Sequence, residues 1–212
     1  MTVEALPPNL NFMSLGTNCL FTFLPDRVRG PLDNIQCLGP ESLYALMENN
    51  YLKLFLNKDN FKNIKDEFSK NCFFNTKLNY KILHNNYDNQ YIKEHIKRVH
   101  NFYNFLKQVY LKDDYYFLLS LSRSEIELAH LIPDFKTFLE KYNLMEKTFV
   151  VIDSKYENEF SKVIPISPFE LNPSENINNY LDACNKSIKE VWLYFLLNRY
   201  KVRKSATETI QF

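Results

Sequence analysis

Four short apolar runs, set apart by long segments of helical periodicity, constrain this chain more than any other feature of it. Residues 10–15, 115–121, 148–152 and 163–166 are strand-length stretches dominated by branched and aromatic side chains. A run of that length with no polar alternation fits a strand covered on both faces, as in a parallel sheet. The intervening segments repeat at helical spacing. Across residues 91–111, Ile92, Ile96, Val99, Phe102, Tyr103, Leu106, Val109 and Tyr110 fall on one face,. Residues 124–142 read as a helix that Pro133 must kink or split. A closing helix from 176 to about 203 carries Ile177, Tyr180, Leu181, Cys184, Ile188, Val191 and Trp192 on one side,. Pro40-Glu41-Ser42 opens a helix to about residue 49, and residues 51–70 mix apolar and charged positions in helical fashion. Between 72 and 84 apolar and polar residues alternate, which predicts a small hairpin. The expected fold is a single α/β domain over 1–212, with a three-layer, mostly parallel sheet flanked by helices, Rossmann-like or SGNH-hydrolase-like.

Composition narrows the function classes. Apolar residues at 45% and aromatics at 16% exclude a disordered chain,. The balance of 26 Lys+Arg against 25 Asp+Glu weighs against nucleic-acid binding, which calls for a basic excess,. A local cluster, Arg199, Lys201, Arg203 and Lys204, reads as a solvated helix end. The first residues lack a basic segment followed by an apolar one, so no signal peptide is expected. The apolar runs fall well short of the roughly 20 residues that span a bilayer. Cys19, Cys37, Cys72 and Cys184 form no CxxC pair and no metal-ligand spacing with the histidines,. The expectation is therefore a cytoplasmic protein with free thiols, no metal and no cofactor. Cys72 and Cys184 read as packing residues, and the oligomeric state has no signal in the sequence.

Glycine is confined to one window. The chain has 3 glycines, Gly16, Gly30 and Gly39. In a sequence rich in Asn, Lys and Ile and poor in small residues, each retained glycine points to a backbone need, either a positive φ or a close approach.

The same window holds the segment suited to chemistry. Ser14-Leu15-Gly16-Thr17-Asn18-Cys19 reads as a strand, a glycine turn and a thiol in the first turn of a helix. Free amides and the positive end of the helix dipole favour a thiolate there. They equally suit a bound oxyanion or phosphate with no covalent step. Because ligands in parallel α/β folds sit at the carboxyl ends of strands, 120–123 and Asp153 are expected on the same rim.

The wording of this stretch, SLGTNC followed by RGPLDN, resembles a bacterial family named as papain-like cysteine peptidases, whose function is unknown. The resemblance extends in order over nearly the whole chain, through Leu83-His84-Asn85, the basic and aromatic helix from Lys97-Arg98 to Phe105, and the strand end at 119–123. Asn34 stands where the family has an aromatic, and Asn85 where it has an acidic residue. The family name implies a papain-like fold, whereas the strand–helix alternation points to a Rossmann or SGNH-hydrolase layout.

Taken by role, the resemblance implies a cysteine-dependent hydrolase or acyl transferase acting on a small-molecule or peptide-like substrate. Cys19 would be the nucleophile, His84 its base, and Asp33 the residue that orients the imidazole or binds substrate. Gly16, Thr17 and Asn18 would supply oxyanion contacts, and Arg123 would bind a carboxylate or phosphate. Each has a plainer reading beside it. Cys19 can line a pocket, His84 can bond backbone at a hairpin end, Asp33 can close its own turn, and Arg123 can be an exposed cap. His95, His100 and His130 lie on helices and read as surface residues. The alternatives at the level of function are a non-covalent phosphate- or sugar-nucleotide-binding domain linked to surface-glycan metabolism, and a non-catalytic interaction module.

Overall fold

All four strand-length runs pair with one another. The structure, a computed structural model, describes residues 11–15, 35–48, 58–65, 71–82, 115–121 and 130–166. It also describes the helical positions 93, 97, 186, 189–191, 193, 194 and 197. Strands β1 (Asn11–Ser14), β6 (Tyr115–Ser120), β7 (Thr148–Asp153) and β8 (Val163–Ile166) form a parallel sheet in the order β1-β6-β7-β8. Met13 lies beside Phe117, Leu119 beside Val150, and Val151 beside Ile164. Pleating sends alternate side chains to opposite faces. One face presents Met13, Phe117, Leu119, Val150 and Ile152, and the other Phe12, Leu118, Phe149, Val151 and Ile164.

A second sheet was not anticipated. Strands β2 (Ile35–Cys37), β3 (Phe61–Lys65), β4 (Asn71–Asn75) and β5 (Tyr80–Ile82) form an antiparallel sheet in the order β2-β5-β4-β3. The expected hairpin is therefore the inner pair of a four-stranded sheet, and half of the described strands are antiparallel. The expectation of helix across 51–70 fails at residues 58–65, where a short 3-10 turn (Lys58–Asn60) leads into β3. This strand lies at the sheet edge with Lys62, Asn63 and Lys65 exposed, so it buries too little to show a two-residue period. The hairpin turn is built by asparagines. Asn75 Oδ1 accepts from the amides of Lys77 and Leu78 at 3.0 and 2.9 Å, and Asn79 takes a positive φ of 50°.

Two helices cover the first face. Helix α1 (Glu41–Met47) starts directly after Pro40, as expected, and buries Leu43, Ala45 and Leu46. Helix α2 (Ile132–Lys141) carries Pro133 in its first turn, where a proline is tolerated,; the part of the expected helix before residue 130 lies outside the described residues. Asp134 in its first turn and Lys141 in its last both suit the helix dipole,. Beyond its end Asn143 adopts φ 55°. The amides of Asn143 and Leu144 donate to the carbonyls of Glu140 and Leu139 at 3.1 and 2.8 Å, the doubled closure of a Schellman motif,. Ile132, Phe135, Phe138 and Leu139 of α2 share one apolar cluster with Cys37, Leu43, Tyr80 and Ile82. The second face packs against Val191 and Tyr194, at helical positions.

Phe135 is fully buried in that shared cluster. Truncation of a core phenylalanine typically costs about 3–5 kcal/mol. Phe135→Ala is therefore expected to lower the urea midpoint by an amount corresponding to that loss, measured by equilibrium unfolding with an unchanged slope.

Candidate functional site

The parallel sheet brings the carboxyl ends of β1, β6 and β7 to one edge. Strand order follows chain order from β1 to β8. The described strands therefore have no order reversal to open a crevice, and the strand ends themselves define the rim. Ser14 pairs with Leu118, Ser120 with Val151, and Asp153 with Ile166. Leu118, Val151 and Ile166 all belong to the second-face cluster. Ser14, Ser120 and Asp153 consequently project on that same face, one from each of three adjacent strands. Both serines are buried, at 3% and 0% exposure. Asp153 is half-buried and closes its own turn. Its Oδ1 accepts the Lys155 amide at 3.0 Å, and its Oδ2 lies 3.3 Å from the Lys155 ammonium. Asp153 thus ends β7 on the rim as expected, held by a local partner.

The joint between the two sheets sits at the end of β1. The Leu15 amide donates to the Leu118 carbonyl at 2.9 Å. The Leu15 carbonyl receives the Cys37 thiol of β2, with sulfur and oxygen 3.6 Å apart. Cys37 Sγ also lies 3.2 Å from Ser42 Oγ in α1. With the thiol proton directed to Leu15, the Ser42 hydroxyl becomes the donor to sulfur. One buried thiol therefore ties β1, β2 and α1 together. Burial pushes that thiol up to about 12, the Ser42 hydrogen bond acts in the opposite sense, and the nearby Glu41 carboxylate adds to the rise. Cys37 is protonated at physiological pH and cannot serve as a nucleophile. Gly39 follows two residues later with no positive φ. A Cβ there would meet only side-chain ends, the Glu41 carboxylate and Asn79 Nδ2 at 3.0 Å, which can turn aside.

The predicted site residues Gly16, Thr17, Asn18, Cys19, Asp33, His84 and Arg123 lie outside the described residues, as do Gly30, Cys184, His95, His100 and the basic cluster from Arg199 to Lys204. Cys72 is buried in β4, in keeping with a packing role, and His130 is exposed. Among the described residues no group of His, Cys, Asp and Glu is arranged to hold a metal ion, and no helix is long and apolar enough to cross a membrane. No family model, curated protein or solved structure matches the chain. Sequence reasoning did not single out Cys37 or Ser42. Their three-element junction depends on contacts between residues far apart in the chain, which a local pattern does not encode.

Cys37 is expected to resist iodoacetamide in the native protein and to react only as the chain unfolds, as read by peptide mass analysis along a urea series. Cys37→Ala strands the buried Ser42 hydroxyl and Leu15 carbonyl, and should destabilise by about 1–3 kcal/mol.

Proposed function

We propose that the chain is a three-layer, Rossmann-like or SGNH-hydrolase-like α/β enzyme, a cysteine-dependent hydrolase or acyl transferase related to the bacterial family that its SLGTNC segment resembles. The observation that carries this reading is the Cys37–Leu15 contact. It joins the strand that leads toward Cys19 to the strand pair whose ends lead toward Asp33 and His84.

Chain lengths allow Cys19 and His84 to meet in this reading. Cys19 follows Leu15 by four residues, a reach of at most about 14 Å. His84 follows Ile82 by two, a reach of about 7 Å. The β2–β5 register pairs Ile35 with Ile82 and Cys37 with Tyr80. In this reading Asp33, two residues before Ile35, orients the imidazole of His84, two residues after Ile82,. Arg123 follows by three residues the end of β6, which is the strand adjacent to β1.

In the proposed reaction the Cys19 sulfur attacks an acyl carbonyl while His84 takes the thiol proton. Gly16, Thr17 and Asn18 donate to the oxyanion. His84 then returns the proton to the leaving group as the carbon–leaving group bond breaks, which leaves a thioester. Water, or an acceptor nucleophile in a transferase, attacks the thioester, gives its proton to His84 and releases the acid or transferred product. Cys19 regains its proton. The substrate class is a small or peptide-like acyl compound, with Arg123 on a carboxylate or phosphate of that substrate. The free thiols fit a cytoplasmic setting.

Between about pH 6 and pH 9, iodoacetamide should modify Cys19 faster than Cys37, Cys72 or Cys184, with a rate midpoint below that of an ordinary thiol. His84→Ala should slow that modification by about tenfold or more, while leaving the thermal midpoint near its wild-type value. A Cys19 that reacts no faster than the other three would replace the covalent reading with the non-covalent phosphate or sugar-nucleotide site.

A further inference from the structure

At the carboxyl ends of α1 and α2 an ammonium group is held in an aromatic corner. Lys141 Nζ lies 4.8 Å from the ring centre of Tyr44 and 5.2 Å from that of Tyr142. Both distances fall within the range at which a cation is attracted to a ring face. The two rings are 6.0 Å apart and tilted by 56°, so they form adjoining walls. A carboxylate supplies the third wall. Glu48 Oε1 accepts the Lys141 ammonium at 2.8 Å and the Tyr142 hydroxyl at 3.1 Å.

The walls stand on the core. Phe138 is almost fully buried and contacts both rings at 5.1 Å, Tyr44 edge-on and Tyr142 tilted. The hydroxyl of Tyr142 fixes the carboxylate, and the carboxylate fixes the phenol. Every wall therefore has a support that does not involve Lys141. Two aromatic faces and an acid, preassembled around one positive nitrogen, make up the chemistry that recognises alkylammonium groups.

We propose that Tyr44, Glu48 and Tyr142 form a binding site for an alkylammonium group, and that Lys141 occupies this site as a built-in, displaceable ligand. The Lys141 and Glu48 side chains are 50% and 45% exposed. A solvated ion pair of this kind holds its partners weakly, so an incoming cation meets a modest barrier to displacing the lysine. Glu48 is held below the usual carboxylate range by its hydrogen bonds to Lys141 and Tyr142, and Lys141 is raised chiefly by Glu48. The two directions agree, and the acid is available as an anion at neutral pH. A simple clasp between two helices would also use the Glu48–Lys141 pair. The aromatic corner with its own backing is the feature that a clasp does not require.

The test uses the full chain with Lys141→Ala, and Lys141→Gln as a second variant that also removes the charge. Tetramethylammonium and blocked lysine are titrated separately, and binding is read from the ring resonances of Tyr44 and Tyr142. Both variants are expected to bind about tenfold more tightly than the wild type. Adding Glu48→Gln or Tyr44→Ala should abolish that gain. Tighter binding of the quaternary ion identifies a small quaternary amine as the ligand, and tighter binding of lysine identifies the side chain of a partner. A folded Lys141→Ala or Lys141→Gln protein whose tyrosine resonances respond to neither probe overturns the proposal. So does a wild type that binds as tightly as the variants.

Discussion

The two-sided burial of the parallel sheet is the constraint on which the rest of this structure depends. Each central strand places large apolar side chains on both faces, and neither face can be left to water. Leu119, Val150 and Phe149 are each 1% exposed or less. Burial stabilises by about 25 cal/mol per Å² of apolar surface, so the sheet calls for a cover on each side. On one side α1, α2 and the antiparallel sheet meet that demand, and on the other Val191 and Tyr194 contribute. The cover on the first side also sets the neighbourhood of the strand rim, because β2 must lie against the end of β1 to close it.

Much of this was legible in the sequence. The parallel strands were readable because strands buried on both faces leave unbroken apolar runs, as in YYFLLS and TFVVID. The start of α1 was readable because Pro40 precedes an apolar-periodic segment. Of the antiparallel sheet only the β4–β5 hairpin was. Its edge strand FKNIK has apolar residues three apart, a spacing that mimics a helix, and β2 is only 3 residues long. Pairing between β2 and β5, more than forty residues apart, leaves no local signature. Pro133 marks the first turn of α2, a position that periodicity alone does not separate from a helix interior,.

The site was legible only in its outline. Ser120 and Asp153, expected at strand ends on one rim, do end β6 and β7 there, and Ser14 of β1 joins them, while Thr17, Asn18, Cys19 and Arg123 lie outside the described residues. Its polar residues share one face because parallel register keeps neighbours in phase. The linkage between the rim and the antiparallel sheet rests on a thiol to which no local pattern drew attention. The two described positive-φ turns are served by Asn79 and Asn143. Asparagine tolerates the left-handed region better than other non-glycine residues. In a chain with 3 glycines and abundant asparagine, it takes over glycine's place in turns and at a helix end.

The last strand of the parallel sheet carries a further consequence. The Lys162 carbonyl points inward to accept the Val150 amide, so alternation turns Ile164 and Ile166 inward and Pro165 outward. At the outer border of β8 the residue that would next offer an amide is thus an imino acid, with no hydrogen to give. Across the molecule, the border strand β3 raises Lys62 and Lys65 into solvent. Proline on one border and lysine on the other are the means by which sheet proteins discourage a stray strand from docking and seeding fibrous growth. An aromatic-rich chain with a net charge of +1 has little electrostatic repulsion to keep its copies apart. Its colloidal behaviour therefore rests in part on how these two strands are finished.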